Sequence, residues 1–259
     1  MNTHIIYQDN SLRNYNYLLV CPETKAAAII DPLDADKILT LASQLNVNIT
    51  TIINTHEHQD HIAGNTAVVK ATGAQIIAHA RAPIANVDRG VLAVDQIQVG
   101  KSIILTVLDT PGHTFSHICL LAEKPAALFC GDTLFNAGCG NVHCGDVELL
   151  YQTFKEQLFK LTDETKVYPG HDYLANNLSF AKTREPNNRE IEYWLQKAEK
   201  HDPHHPIITT IGIEKTINPF FRLSEPEIIQ QLQLDFPDVK TQLSNHDVFL
   251  RLRELRNKW

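Results

Sequence analysis

No run of apolar residues in this chain approaches the roughly 20 needed for a membrane-spanning helix, so no membrane association is expected. The opening Met1-Asn2-Thr3-His4-Ile5-Ile6-Tyr7 lacks a basic segment followed by a long apolar stretch, so no signal peptide is expected either. Positive charge is in deficit. With 23 basic and 30 acidic residues the net charge is −7, which argues against a general binder of nucleic-acid backbones but leaves room for a local basic pocket. The five cysteines (Cys21, Cys119, Cys130, Cys139 and Cys144) are odd in number and irregularly spaced, and none forms a Cys-x-x-Cys pair. That disfavours a thiolate zinc site and fits reduced thiols in a cytoplasmic setting. Internal repeats and low-complexity segments are missing too. At 259 residues, 43% hydrophobic and 20% charged, the chain reads as a soluble protein with one large domain or a medium one and a small companion.

What the chain does have is Thr55-His56-Glu57-His58-Gln59-Asp60-His61. Imidazole and carboxylate side chains at this density suit zinc, iron or manganese. The preceding Ile49-Thr50-Thr51-Ile52-Ile53-Asn54 is β-branched and apolar, a buried-strand signature, so the cluster is expected on a strand-to-helix loop. His56 and His58 can face one side if the loop is extended, which turns Glu57 and Gln59 away. Three more ligand types follow, each beside glycine or proline at the end of an apolar run. They are His113 in Thr110-Pro111-Gly112-His113, Asp132 in Gly131-Asp132-Thr133-Leu134-Phe135, and His171 in Tyr168-Pro169-Gly170-His171. Five histidines and two aspartates exceed what one tetrahedral ion can use, and suit two ions sharing a carboxylate, with a position open for water.

In that order, His56-x-His58-x-Asp60-His61, His113, Asp132 and His171 resemble the ligand set of the metallo-β-lactamase superfamily. Within it the chain resembles glyoxalase II, the hydroxyacylglutathione hydrolases, through Asn136-Ala137-Gly138-Cys139-Gly140, Tyr173 and Asn218-Pro219-Phe220-Phe221-Arg222. The resemblance implies an α/β (α+β) fold, a four-layer αββα sandwich with a small C-terminal helical domain. It implies His56, His58 and His113 on one metal, Asp60, His61 and His171 on a second, and Asp132 bridging. Two divalent transition metals are implied, zinc first and iron or manganese as alternatives. A shared hydroxide then attacks a thioester, with Asp60 and Asp132 as the catalytic carboxylates. The implied reaction converts S-D-lactoylglutathione to glutathione and D-lactate, the second step of methylglyoxal detoxification. A thiolate leaving group, with a pKa near ~8.5, needs no dedicated acid.

On the substrate side the resemblance points to Tyr173 and to a basic pair, Arg253 and Arg256, for the glycine carboxylate of glutathione; the second is usually lysine, and arginine changes its reach. The alternative for the pair is a solvated basic face shared with Arg251 and Lys258. The loop Asn141-Val142-His143-Cys144-Gly145-Asp146 departs from the family, with Asn141 where a basic residue stands and His143 in place of an aromatic. His143 remains a possible substrate-binding donor. Two alternative activities stay open: a related thioesterase with another thiol carrier, and a mononuclear iron persulfide dioxygenase. Asp132 argues against a β-lactamase, and no basic groove suggests a nuclease. The only partner expected is a small-molecule thioester, with no nucleic acid and no obligate protein.

Residues 1–172 are expected to form the catalytic domain and 173–259 a helical substrate-binding domain. Strands are expected at Tyr17–Val20 and Ala26–Ile30 around Pro22-Glu23-Thr24, at Gln75–Ala78 and at Ile118–Ala122, besides those before each ligand. Helical spacing appears at Ile38, Leu39, Ala42 and Leu45; at Leu149, Leu150, Phe154 and Leu158; at Glu190–Ala198 and Glu227–Leu232; and at Val248, Leu252 and Leu255. Ser224 and Glu227 fit a capping box with Pro226 in the first turn. The histidine-rich His201-Asp202-Pro203-His204-His205-Pro206, flanked by prolines, reads as a solvated turn.

Overall fold

Alternate side chains of Tyr15–Val20 point into two different cores, which is why all six residues of this strand are buried. Tyr17 and Leu19 face a second sheet, while Leu18 and Val20 face helices. The computed structural model describes residues 1–237 and 242–259. Its first sheet has the order β1 (Asn2–Tyr7), β2 (Tyr15–Val20), β3 (Ala26–Ile30), β4 (Asn48–Ile53), β5 (Gln75–His79) and β6 (Arg89–Val91). Pairing is antiparallel from β1 to β3 and parallel from β3 to β6. Three helices connect its parallel part: α1 (Ala35–Leu45), α2 (Gln59–Ile62) and α3 (Asn65–Thr72). Ile38 of α1 and Val68 of α3 pack on Ile29, Ile52 and Ile76 of the sheet's outer face. Asp34 caps α1 by accepting from the amides of Asp36 and Lys37.

The second sheet uses β7 (Gln96–Val99), β8 (Ile103–Asp109), β9 (Ile118–Glu123), β10 (Ala126–Gly131), β13 (Lys166–Pro169) and β14 (Thr209–Thr210), in the order β14-β13-β10-β9-β8-β7. A short ribbon of β11 (Leu134–Phe135) and β12 (Gly138–Cys139) follows β10. Leu105, Val107, Leu120 and Phe129 meet Leu19, Ile30 and Ile53 between the sheets. On the far face, α4 (Val147–Glu156) contributes Leu150 and Phe154 to an apolar cluster with Leu128 and Val167. This is the expected αββα sandwich.

The C-terminal part adds α5 (Leu174–Arg184), α6 (Arg189–Ala198), α7 (Ile211–Ile217), α8 (Pro226–Asp235) and α9 (Asn245–Asn257). Phe220, Ile228, Val248, Phe249 and Leu252 join the cluster on α4, and β14 pairs with β13. The helical segment is therefore welded to the sandwich through one apolar core and one edge strand. The capping box does not form at Ser224. Glu225 is the N-cap of α8 and Pro226 the first helical residue. An N-cap at Ser224 would place Glu225 inside the helix directly before proline, where helical backbone is disfavoured. Glu227 turns instead to Asn187, whose Nδ2 donates to it at 2.5 Å. A reciprocal box does form at Ser244 and Asp247 before α9. In the histidine-rich turn, His204 and His205 are exposed as expected, but the half-buried His201 turns its ring inward to Asp172, 3.1 Å away.

Glu214 of α7 is fully buried beneath the ribbon. It accepts from the Ala137 amide (2.8 Å), Asn218 Nδ2 (2.8 Å) and Thr209 Oγ1 (2.6 Å), so it anchors a turn in which Ala137 has φ +58°. Burial pushes its carboxyl up to about 7 from 4.5, against the pull of those donors. A raised folded-state pKa means the fold keeps a proton that the unfolded chain releases. The stability this contributes is therefore present below pH 4.5 and lost as pH rises to about 7. At about 1.4 kcal/mol per pH unit the loss is about 3 kcal/mol. The unfolding free energy of the parent minus that of Glu214→Gln should fall by roughly that amount across the window in denaturant titrations. A difference that stays level would mean that the carboxyl titrates normally in the fold.

Candidate metal centre and adjoining pocket

All seven expected ligands lie where strands end. β4 leads into Thr55-His56. His58, with extended backbone (φ −63°, ψ 144°), is the N-cap of α2, whose first turn carries Asp60 and His61. His113 follows β8, Asp132 follows β10 and His171 follows β13. Parallel pairing of β10 with β13 sets Gly131 opposite Pro169 and so brings Asp132 beside His171, their nearest atoms 3.2 Å apart. Glu57 turns away, as expected, and accepts from Thr114 Oγ1 (3.0 Å) and Ser116 Oγ (2.8 Å).

Ligand atoms gather into three overlapping groups: His56, His58 and His113; His56, His61 and Asp132; and Asp60, His61 and His171. His58 Nδ1 is 3.0 Å from both His56 Nε2 and His113 Nε2. That is close to the ~3.3 Å edge of a tetrahedron whose centre lies ~2.0–2.1 Å from each nitrogen. His61 Nε2 and His171 Nε2 are 3.2 Å apart, and Asp60 Oδ2 is 3.4 Å from each. Asp132 stands between, with Oδ1 3.4 Å from His61 and Oδ2 3.6 Å from His113.

The opposite ring nitrogens show which atoms face inward bare. His113 Nδ1 donates to Asn141 O (2.7 Å), His171 Nδ1 to Leu12 O (2.7 Å) and His61 Nδ1 to Asp31 Oδ2 (3.0 Å). His56 Nδ1 donates to Thr55 Oγ1 (3.0 Å), whose own proton goes to Asp31 Oδ2 (2.7 Å). These bonds fix each tautomer, leaving four Nε2 lone pairs converging with carboxylate oxygens. Asp132 Oδ1 is buried with no hydrogen-bond partner among the described residues. Such a set is repulsive unless a cation sits within it, so the residues fit a metal pair.

The electrostatics agree. Burial holds the His56 and His113 rings below the usual imidazole range, hence neutral and able to ligate. Burial alone would do the same to His61, but the Asp132 and Asp31 carboxylates outweigh it and raise its proton affinity, a sign that this corner calls for positive charge. Asp60 is held below the carboxylate range despite burial, by His61 first, then Asn14 and His171. Two close approaches need glycine. A Cβ on Gly170 would lie 2.3 Å from Asp132 Oδ1, and one on Gly140 would lie 1.8 Å from Asp132 O.

Beside the ligands is a cavity of about 220 Å³ lined by Phe135, Cys139, Asn141, His143, Tyr173, Arg253, Arg256, Asn257 and Trp259. It gathers all four residues expected to bind substrate. Tyr173 stacks on the His171 ring at 4.9 Å and 3° and meets the Phe135 edge. The solvated-face alternative fits the half-buried Arg251 and the exposed Lys258, both paired with Glu254; Arg253 is only 3% exposed. A larger hollow of about 600 Å³ beside α3 contains none of the seven ligands.

Residues 11–171 match the family model of the metallo-beta-lactamase superfamily, and residues 172–259 match that of the hydroxyacylglutathione hydrolase C-terminus. The chain is 54% identical over 259 residues to a hydroxyacylglutathione hydrolase of Polaromonas sp. (strain JS666), covering 98% of each. The chain belongs to the hydroxyacylglutathione hydrolase family, within the metallo-β-lactamase superfamily. A hydroxyacylglutathione hydrolase of Nitrosococcus oceani is 49% identical over 258 residues, again covering 98% of each. Among solved structures, ETHE1 from Myxococcus xanthus superposes with a TM-score of 0.68 at 29% identity, covering 93% of each chain.

Around this hydroxyacylglutathione hydrolase site stand residues the sequence did not reveal. Asp31 accepts from the Thr55 amide, the Thr55 hydroxyl and His61. It lies at a strand exit beside Pro32, the same signal that marked the other ligands. Asn14 Nδ2 donates to Asp60 Oδ2 (2.9 Å). His117 stacks on His56 at 5.1 Å and accepts from the Asp132 amide. Neither Asn14 nor His117 carries a local signal.

Proposed function

We propose that this chain hydrolyses S-D-lactoylglutathione to glutathione and D-lactate, the second step of methylglyoxal detoxification. The observation that carries the reading is a cation-demanding ligand set opening onto a pocket that holds Tyr173 and two arginines, in a chain 54% identical to a relative of that name. His56, His58 and His113 are assigned to one divalent metal, Asp60, His61 and His171 to the other, and Asp132 to both. Zinc is the first choice, with iron or manganese suiting the same donors. When bound, such ions supply Lewis acidity and lower the pKa of water toward ~7.

The chain's own groups account for the rest. Asn14 steadies Asp60, while Asp31 orients His61. Burial holds the Tyr173 hydroxyl up to about 12, so it stays protonated at neutral pH and can donate to the tripeptide. His143, Arg253 and Arg256 line the pocket proposed to receive the same tripeptide. We assign catalysis to residues 1–172 and substrate binding to 173–259, the shared core holding the two in register. Five free thiols support a cytoplasmic setting; among the described residues no helix is long and apolar enough to cross a membrane.

Purified protein should release free thiol from S-D-lactoylglutathione and contain close to two transition metals per chain by elemental analysis. One metal per chain, with oxygen uptake on glutathione persulfide and no thioester turnover, would overturn the reading. Asn141 is exposed on the pocket rim, where it lends no charge. Asn141→Lys should lower KM for S-D-lactoylglutathione, an effect shrinking with added salt because an exposed charge is screened. If it instead impairs every glutathione ester while another thiol ester is turned over well by the parent, the carrier is not glutathione.

A further inference from the structure

The two pocket arginines, three residues apart on α9, make different contacts. Arg253 gives Nη1 to the backbone carbonyls of Cys139 (2.8 Å) and Gly140 (2.9 Å), and its Nε donates to Asn257 Oδ1 (3.1 Å). Its guanidinium also lies over the Phe220 ring, 5.8 Å from the centroid. The next carbonyl along the chain, Asn141 O, accepts from His113 Nδ1 at 2.7 Å. Between them runs Gly140, so close to Asp132 that no side chain fits. Arg256 is half-buried and gives Nη2 to Asn177 Oδ1 (3.0 Å); among the described residues its other two nitrogens have no hydrogen-bond partner.

The geometry points to Arg253 as a positioning residue for the metal ligand His113, acting through the carbonyls of residues 139–141. This rests on the reading of the histidine cluster as a metal centre. The physical reasoning is direct. Carbonyl oxygens of consecutive residues repel when turned toward one side, and one buried guanidinium holds two of them there with charge-assisted hydrogen bonds. With residues 139 and 140 held, the carbonyl of Asn141 is fixed against the His113 ring, which keeps Nε2 aimed at His58 and Asp132. Outer hydrogen-bond partners of metal-bound imidazoles typically contribute 10- to 100-fold in metal affinity. The link therefore carries the position of the C-terminal helix into the ligand geometry.

The test is zinc binding alone, with no substrate. Metal-free parent, Arg253→Lys, Arg253→Ala and Arg256→Ala are titrated with zinc against a chromophoric chelator, and their metal-free folds compared by circular dichroism and thermal melting. Arg253→Ala should bind one of its two zinc ions more weakly than the parent does, by up to about 10-fold, the lower end of the effect of a ligand's own outer partner. Arg253→Lys, which keeps the charge but not the fork, should fall between them. Arg256→Ala, which leaves the carbonyls of residues 139–141 untouched, should match the parent in zinc affinity. Should Arg253→Ala fail to fold, Arg253→Lys decides. Parental zinc affinity in every Arg253 variant that folds overturns the positioning role while leaving the hydrolase reading intact. A parent that binds no zinc, iron or manganese overturns the metal-centre reading, and this role falls with it.

Discussion

Asp132→Asn is expected to abolish turnover of S-D-lactoylglutathione, lowering kcat by at least about a thousandfold, and to leave the protein with less than its full metal complement. Asp132 stands between both trios, with Oδ1 near His61 and Oδ2 near both His171 and His113. Burial would raise the proton affinity of its carboxyl, yet the surrounding histidines, His171 and His61 foremost, hold it well below the usual range, so it is an anion in the folded protein. Asparagine keeps the volume and removes the charge. Lewis-acid stabilisation is worth several kcal/mol, and at ~1.4 kcal/mol per tenfold in rate its loss corresponds to at least that thousandfold. Elemental analysis and steady-state kinetics on one preparation provide the check. Two metals per chain together with near-parental kcat would remove Asp132 from the centre.

Asp60→Ala is expected to lower kcat by two orders of magnitude or more with little change in melting temperature of the metal-free protein. Asp60 sits at the start of α2 with its side chain 23% exposed, so its removal opens no large buried hole. It does leave His61 and His171 as the only members of their group. Loss of an outer partner of a metal ligand costs roughly 10- to 100-fold, and loss of a direct ligand should cost more. Asn14→Ala removes the Nδ2 hydrogen bonds to Asp60 and the Asn10 bond to Asn14 Oδ1 but no expected ligand, and should fall within that smaller range. If Asp60→Ala were no more damaging than Asn14→Ala, Asp60 would be a supporting residue and not a ligand.

Much of this protein is legible in one dimension because its chemistry sits at strand ends. The histidine cluster follows one apolar β-branched run, and His113, Asp132 and His171 each follow another apolar run and adjoin glycine; those signals are local, because the run forms the strand and the glycine lets the chain turn at its end. The strands around His56, His113, Asp132 and His171 accordingly lie where the pattern placed them. The capping box was misplaced because Pro226 constrains the residue before it more strongly than Ser224 and Glu227 attract each other.

What residue order could not supply is the set of partners brought in from afar. His171 finds Leu12 across 159 positions, Asn14 finds Asp60 across 46 and Arg253 finds Cys139 across 114. No periodicity links such residues, because their approach depends on sheet order and on how α9 packs against the ribbon. The sequence by itself determined the fold class, the seven side chains proposed as ligands and the general chemistry, through residue type and local spacing. Tertiary structure alone decided which ring nitrogen each histidine turns inward, since that follows from the acceptor on its other side. It also decided that Arg253 is buried and Arg256 only half-buried, although both line the pocket, since burial along a helix is set by what packs against each face, and here a backbone carbonyl pair claims one end of the first arginine.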